Sequence, residues 1–415
     1  MQLPNGATIP NRFAKSATSE ALAHRVSGKP GKALATLYER WGRGGTGLLI
    51  TGNVVVDPGG RTEPGNVIVY DDRHLEELTA WASAAQRHGA RLWMQINHAG
   101  RQTPRKINRQ PVAPSAVGLK GFGGLFARPR ALEDDEINEL IHRYATAAGV
   151  AQRAGFHGVQ IHGAHGYLVS QFLSSRTNLR TDKWGGSAEN RMRFLVEIVR
   201  AMRAVVGEKF PIGVKLNSAD FQRGGFSEEE SMNVVRALEH EGIDLLEISG
   251  GSYEQSAMMG DDGSKRDSTK QREAYFLAYA EKVRYVTGVP LLLTGGMRTA
   301  ATMNKVIAEN KVDMVGLARP LIVEPDLPSR VLSGTAKGAT SSAPRSRVKM
   351  LDDMLQISWY QAQLRRMAVG KDPNPNLGKW GPLTIGFVNN YAFNPLTVFV
   401  PQRKIKRRLA ATVSS

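Results

Sequence analysis

The sequence predicts an α/β fold: one (β/α)8 TIM barrel with long strand-to-helix loops and a C-terminal extension. Three observations carry this expectation. Eight short runs rich in aliphatic and β-branched residues alternate with helix-length amphipathic stretches, the pattern of parallel strands covered by helices. Most of the helical stretches run into a glycine or a glycine-containing turn, at Gly155, Gly207, Gly242 and Gly288, as helix C-termini commonly do. The segments that follow the strands are long, notably 99–132, 163–190 and 250–271, and in this fold the strand-to-helix side is where an active site is built.

The expected strands, in order, are residues 13–18, 47–56, 91–97, 158–162, 212–217, 245–249, 290–294 and 313–317. Eight is the number that closes such a barrel. Helical stretches fall at 75–86, 134–153, 191–206, 227–241, 272–286 and 299–308. Together these place the barrel in residues 1–330. Beyond it the pattern changes. Residues 333–347 are rich in Gly, Ser, Thr and Ala, 348–368 have helical character, and the rest is interrupted by Pro373, Pro375, Pro382 and Pro395. Residues 331–415 therefore form a linker, a helix and a basic extension.

The 415 residues are 41% hydrophobic and 22% charged, an ordinary globular balance. No apolar run approaches the ~20 residues of a spanning helix, and the start, MQLPNGATIPNRF, lacks the apolar core of a signal peptide. A cytoplasmic protein without a membrane-spanning segment is expected. Cysteine is absent, which excludes disulfides, a thiolate nucleophile and a thiolate-held iron–sulfur cluster. The net charge of +17 is concentrated towards the C-terminus, most densely in Arg403, Lys404, Lys406, Arg407 and Arg408. No aromatic interleaving or nucleic-acid module accompanies that cluster, so it is taken as a solvated surface with no nucleic-acid partner.

Two motifs need weighing. Gly42, Gly44 and Gly47 match a G-x-G-x-x-G pattern, but a helix precedes them and a strand follows, the reverse of the dinucleotide fingerprint. They are assigned to a turn. The segment from Gly158 to Leu168 leaves a buried strand and sets His162, His165 and Tyr167 at its C-terminal end, the mouth of the barrel. One reading is a metal site, for which no third ligand of suitable spacing is evident. A second is a pair of hydrogen-bonded histidines pinning a loop. The third is a pair of donors for an electron-withdrawing oxygen with a phenol beside them as proton source.

The stretch from His162 through Tyr167 and Leu168, followed by Gln171-Phe172-Leu173 and by the run from Arg180 to Arg191, resembles the central signature of the old yellow enzyme family, the FMN-dependent ene-reductases. Further matches fall in the right order: Asn11-Arg12-Phe13, the run from Gln95 to Arg101, Gly213-Val214-Lys215-Leu216, Thr294-Gly295-Gly296, and the run from Gly316 to Pro320. The resemblance covers about residues 3–328. It implies that His162 and His165 bind a carbonyl or nitro oxygen and that Tyr167 donates a proton. It implies that Ala17, Thr18, Ser19, Gly52 and Gln95 line the flavin, with Lys215 at its pyrimidine edge. Gly295, Gly296, Ala318 and Arg319 would hold the FMN phosphate. No metal is implied.

Some positions depart from the family. Ala17 stands where many relatives have proline, Lys215 where many have arginine, Ala318 where many have glycine, and Ser19 where relatives carry threonine or cysteine. Lysine keeps the charge and loses arginine's fork of donors. The family branch with a cluster-binding cysteine motif is excluded. The implied function is an oxidoreductase that takes hydride from NADH or NADPH through FMN and passes it to an enone or a nitro compound. Alternatives are the oxidative direction on the same cofactor, a Schiff-base barrel aldolase using Lys215, and a cofactor-free binding module using the basic tail. The expected partner is a small-molecule substrate, and a homo-oligomer is an admissible assembly.

Overall fold

Strands close on themselves around a buried interior in this computed structural model, which describes residues 1–220, 224–249, 276–340, 343–344, 349–378 and 380–387. Among these, β1 (Phe13–Lys15), β2 (Leu48–Ile50), β3 (Arg91–Asn97), β4 (Gly158–Gly163), β5 (Ile212–Asn217), β6 (Leu245–Ser249), β7 (Leu291–Thr294) and β8 (Met314–Leu317) pair in sequence order, all parallel. β1 pairs with β8 as well as β2, which closes the barrel. Sheet pairing of this kind leaves no open edge.

Two strands differ from expectation by more than one residue. β1 ends at Lys15 rather than residue 18, with the Ser16 amide still donating to Leu317 O at 3.0 Å. The second run breaks after Ile50 and resumes at Val54–Val55 against β3. At the break the Gly52 amide donates to the Glu20 carboxylate at 2.9 Å instead of to a neighbouring strand. Beyond the first strands, the chain is thus turned by side chains.

The helices are α1 (Lys32–Arg43), α2 (Leu75–Gln86), α3 (Asp134–Arg153), α4 (Leu168–Leu173), α5 (Ala188–Val206), α6 (Glu228–His240), helical residues 276–284, and α7 (Ala300–Ala308). After β8 come α8 (Arg319–Val323), α9 (Leu327–Leu332), α10 (Lys349–Ala368) and α11 (Trp380–Phe387). α5 starts three residues before the expected 191 because Ser187 caps it, accepting from the Asn190 amide at 3.2 Å. Ser227 and Glu230 form a capping box at α6. Gly155, Gly207 and Gly242 end their helices with φ of 82°, 74° and 70°, whereas Gly288 is not left-handed. Its amide is held by Glu239 at 2.7 Å instead.

Side chains alternate across a strand, so every second residue enters the barrel. At the N-terminal end Ala14, Leu48, Ile50, Trp93, Leu245, Leu292 and Met314 meet Leu3 and Ile9 of the leading segment in one apolar cluster. Trp93 fills most of that space because its neighbours yield it: Gly158, its register partner on β4, and Gly213 on β5 would each place a Cβ within 2.8 Å of the indole. Two residues further along the same alternation come Gln95, Gln160, Lys215, Glu247 and Thr294, and two further again Asn97, His162, Asn217 and Ser249. An apolar plug, a polar floor and a rim of candidate site residues are stacked along the axis.

The outer core lies between strands and helices and includes Leu37, Tyr38, Trp41, Trp81, Tyr144 and Phe194. α10 lies against α1 and contributes Leu364, Met367 and Ala368 to that core. Residues 250–271 and the basic cluster at 403–408 lie outside the described residues. No helix among the described residues is long and apolar enough to cross a membrane.

The fit around Trp93 can be tested. Gly158→Ala places a methyl 2.6 Å from indole atoms, and overpacking of this kind costs about 1–3 kcal/mol. A lowered urea midpoint with an unchanged slope is the expected outcome; an unchanged midpoint would show that the indole is free to move.

Candidate active site

The polar floor is built on a buried carboxylate. Glu247 on β6 meets Lys215 Nζ of β5 at 3.0 Å, accepts from Thr294 Oγ1 of β7 at 2.7 Å and from Gln160 Nε2 of β4 at 2.8 Å. Gln160 in turn accepts from Gln95 Nε2 of β3 at 2.7 Å, and Thr294 contacts Ser16 Oγ at 2.6 Å. Lys215 is therefore engaged with a carboxylate. A Schiff-base nucleophile needs a neutral, available amine, so the ion pair weighs against the aldolase alternative.

Above this floor stand the two histidines and the tyrosine, all buried. The His162 ring lies edge-on to His165 at 5.0 Å between centroids and to Tyr167 at 4.8 Å. His162 Nδ1 accepts from the Ala164 amide at 3.3 Å, which leaves its proton on Nε2. His165 Nε2 lies 2.7 Å from Ser249 Oγ. The His165 backbone is left-handed, with φ of 61°, a costly conformation for a residue with a Cβ. It is held there from both sides, its amide donating to Asn217 Oδ1 at 3.2 Å and its carbonyl accepting from Gln102 Nε2 at 3.0 Å.

Burial holds both imidazoles well below their usual pKa, and the nearby Lys215 ammonium lowers them further. They are neutral, so each is able to donate one hydrogen bond and accept another. Among the described residues no group of three His, Asp or Glu is arranged to hold a metal ion.

The remaining expected residues ring the same mouth. Ala17, Thr18 and Ser19 follow β1 and are half-buried. Thr18 Oγ1 is a buried atom with no hydrogen-bond partner among the described residues. Gly52 is buried, and a Cβ there would meet Glu20 Oε2 at 2.2 Å and Thr18 O at 2.4 Å. At the ends of β7 and β8, Gly295 and Gly296 adopt φ of 126° and 71°, a Cβ on Gly295 would meet nothing within 4 Å, and Ala318 and the exposed Arg319 lie at the start of α8. An open turn formed by glycines, with Arg319 opening the helix after the neighbouring strand, suits an anion.

Much of the long signature proves to be architecture. Asn178 Nδ2 donates to Phe172 O at 2.8 Å and Trp184 O at 2.7 Å, Arg180 donates to Leu132 O at 2.6 Å and Pro114 O at 3.1 Å, and Arg191 joins Leu173 O to Glu230. These bonds fold the loop after β4 onto its neighbours. They stay away from the three rings.

Sequence reasoning missed Gln160, Glu247, Thr294, Ser249 and Asn217. Alternation relates them to their strand neighbours: Gln160 shares the inward side of β4 with His162, Asn217 that of β5 with Lys215, Thr294 follows Leu292 on β7, and Glu247 and Ser249 follow Leu245 on β6. It also missed Glu20, which accepts from the Gly52 amide and the Tyr38 hydroxyl beside the segment that follows β1. Arg365 of α10 faces Glu63, whose carboxyl is raised by burial and bonded to Ser19, so the extension reaches the rim of the mouth.

Comparison with known proteins gives concordant results. The family model that matches residues 1–338 is described as the NADH:flavin oxidoreductase / NADH oxidase family. An NADH-dependent flavin oxidoreductase of Aspergillus parasiticus is 40% identical over 347 residues, covering 80% of this chain and 77% of that protein. One of Talaromyces variabilis is 35% identical over 400 residues, covering 88% of this chain and 96% of its own length. Among solved structures, the old yellow enzyme homologue from Zymomonas mobilis superposes with a TM-score of 0.69 at 27% identity over 82% of this chain and 93% of that one. Morphinone reductase in complex with tetrahydroNAD gives 0.65 at 27% identity over 80% and 89%.

The neutral histidines have a thermodynamic consequence. His98, beside the site on the loop after β3, is pushed down to about 4 by burial. An imidazole in the unfolded chain takes its proton near 6.5. Below that pH the unfolded state binds protons that the folded state does not, so stability is full above about 6.5 and falls as the pH drops. Between pH 7.5 and 5.5 the His98→Gln variant is expected to lose about 1.4 kcal/mol less than wild type in urea unfolding. Equal losses would mean that His98 charges in the fold.

Proposed function

The chain belongs to the NADH:flavin oxidoreductase / NADH oxidase family, and on that footing we propose that it reduces activated alkenes, chiefly enones, or nitro compounds at the His162–His165–Tyr167 site. Its cofactor is FMN, with NADH or NADPH as hydride source. When bound, FMN supplies the hydride-transfer chemistry.

The residues present fit that group. Thr18 Oγ1 is buried and without a partner, Gln95 and Lys215 form a polar floor, and the Gly295–Gly296 cradle with Arg319 suits a phosphate. In this reading Ala17, Thr18, Ser19, Gly52 and Gln95 line the ring, Lys215 supplies a cation at its pyrimidine edge, and Gly295, Gly296, Ala318 and Arg319 hold the phosphate. Residues 331–415 are read as an extension of the barrel whose helix, α10, braces the mouth.

The observation that carries the proposal is the packing of the neutral His165 imidazole and the Tyr167 phenol against the neutral His162 ring, at 5.0 and 4.8 Å between centroids, over that floor. An enone accepts hydride poorly until its oxygen is polarised. His162 offers Nε2–H to that oxygen, and His165 offers a second donor, both buried where a hydrogen bond is strong. A charged pair is not required, and neutral donors avoid burying two cations beside Lys215. Hydride arrival at the β carbon leaves an enolate that needs a proton at the α carbon. Tyr167 is the buried phenol next to His162, and a phenol placed there can act as the general acid.

The roles separate in the two half-reactions. Tyr167→Phe is expected to slow alkene reduction by about 10²-fold or more, the usual worth of a positioned acid, while leaving flavin reduction by the nicotinamide near wild type in stopped-flow. His162→Ala or His165→Ala is expected to weaken binding of phenolic inhibitors. A Tyr167→Phe enzyme that is impaired only in the nicotinamide half-reaction, or unimpaired in both, would overturn the assignment.

A further inference from the structure

Glu247 is fully buried and takes no part in the roles assigned above. An ionised carboxylate accepts hydrogen bonds and donates none, so its presence dictates the sense of every bond that radiates from it. Thr294 must spend its hydrogen on Glu247 Oε1, so in the 2.6 Å contact of the two hydroxyls Ser16 donates and Thr294 accepts. Gln160 must turn its NH2 towards Glu247 Oε2, and its carbonyl oxygen therefore faces Gln95. Gln95 must answer with Nε2–H. Its carbonyl oxygen and second N–H are thereby left for a group lying on the floor.

Charge follows the same route. Lys215 and Glu247 are both buried and 3.0 Å apart, so the field of the ammonium above the floor is what the carboxylate leaves of it.

We propose that Glu247 is a positioning residue for the flavin: it fixes the amide orientation of Gln95 through Gln160 and attenuates the positive field that Lys215 presents to the ring. The inference rests on the reading of Gln95 and Lys215 as flavin-lining residues. A reduced flavin carries negative charge at the edge that faces Lys215, so attenuation of that field keeps the bound flavin a stronger reductant.

The test is the two-electron midpoint potential of bound FMN, measured by anaerobic dye-equilibrated titration in wild type, Glu247→Gln, Lys215→Met and the double variant. Glu247→Gln is expected to shift the equilibrium at least tenfold towards the reduced form, about 30 mV more positive. Lys215→Met is expected to shift it the other way. The double variant is expected to return towards the wild-type potential, because the two opposite charges are then removed together. A potential moved by Lys215→Met and unmoved by Glu247→Gln overturns the inference and leaves the flavin site standing. A potential unmoved by Lys215→Met overturns both. If Glu247→Gln does not fold, Thr294→Val carries the test. With one donor removed, the carboxylate directs more of its charge at Lys215 and the potential falls; an unmoved or raised potential overturns the inference.

Discussion

A carboxylate buried inside a barrel cannot stay ionised alone, because the loss of hydration costs far more than any single contact returns. Glu247 meets this constraint by collecting Lys215, Gln160 and Thr294, and through them Gln95 and Ser16. Five adjacent strands, β3 to β7, and Ser16 just after β1 are thereby committed to one network. Their register is fixed by it: a shift of one residue on any strand would turn its polar group outwards and bury an apolar one in its place. The floor of the mouth is thus specified by electrostatics, while the plug beneath it is specified by the volume of Trp93.

The rim above the floor is built differently. His165 is held in a left-handed backbone conformation by Asn217 and Gln102, and its ring is met by Ser249. These partners come from β5, the loop after β3, and β6, so the pair of histidines is set by elements remote from its own in sequence. Strain of this kind is sustained only where the surroundings over-determine it. Asn178 and the signature run from Arg180 to Arg191 serve the same end from outside, tying the loop after β4 to its neighbours with guanidinium and amide bonds. Site and scaffold are separable in residues, although the sequence motif runs through both.

What was legible in the sequence follows from these two regimes. β3, β5 and β6, and helices α2 and α3, fall on their expected bounds because a buried strand or an amphipathic helix declares itself by local pattern. The histidines and Tyr167 stood out by type at a strand end. Glu247 did not, since one acidic residue in an apolar run is informative only once its alignment beside Lys215 is known. The break after β2 depends on Glu20 and Gly52 meeting across sequence, and the approach of Arg365 to Glu63 depends on how α10 packs on α1. None of these is a local property. Gly288 illustrates the converse: a glycine at a helix end suggested a left-handed cap, and a distant carboxylate did the work instead.

FMN is proposed to lie on the polar floor of the mouth with its phosphate at the Gly295–Gly296 turn. Equilibrium binding of FMN and of riboflavin to the purified chain, followed by flavin fluorescence, tests it most directly. One FMN per chain, with riboflavin at least tenfold weaker for want of the charge-assisted contacts at Gly295, Gly296 and Arg319, is the expected result. A chain that takes up no FMN, or binds the two flavins equally, would contradict it.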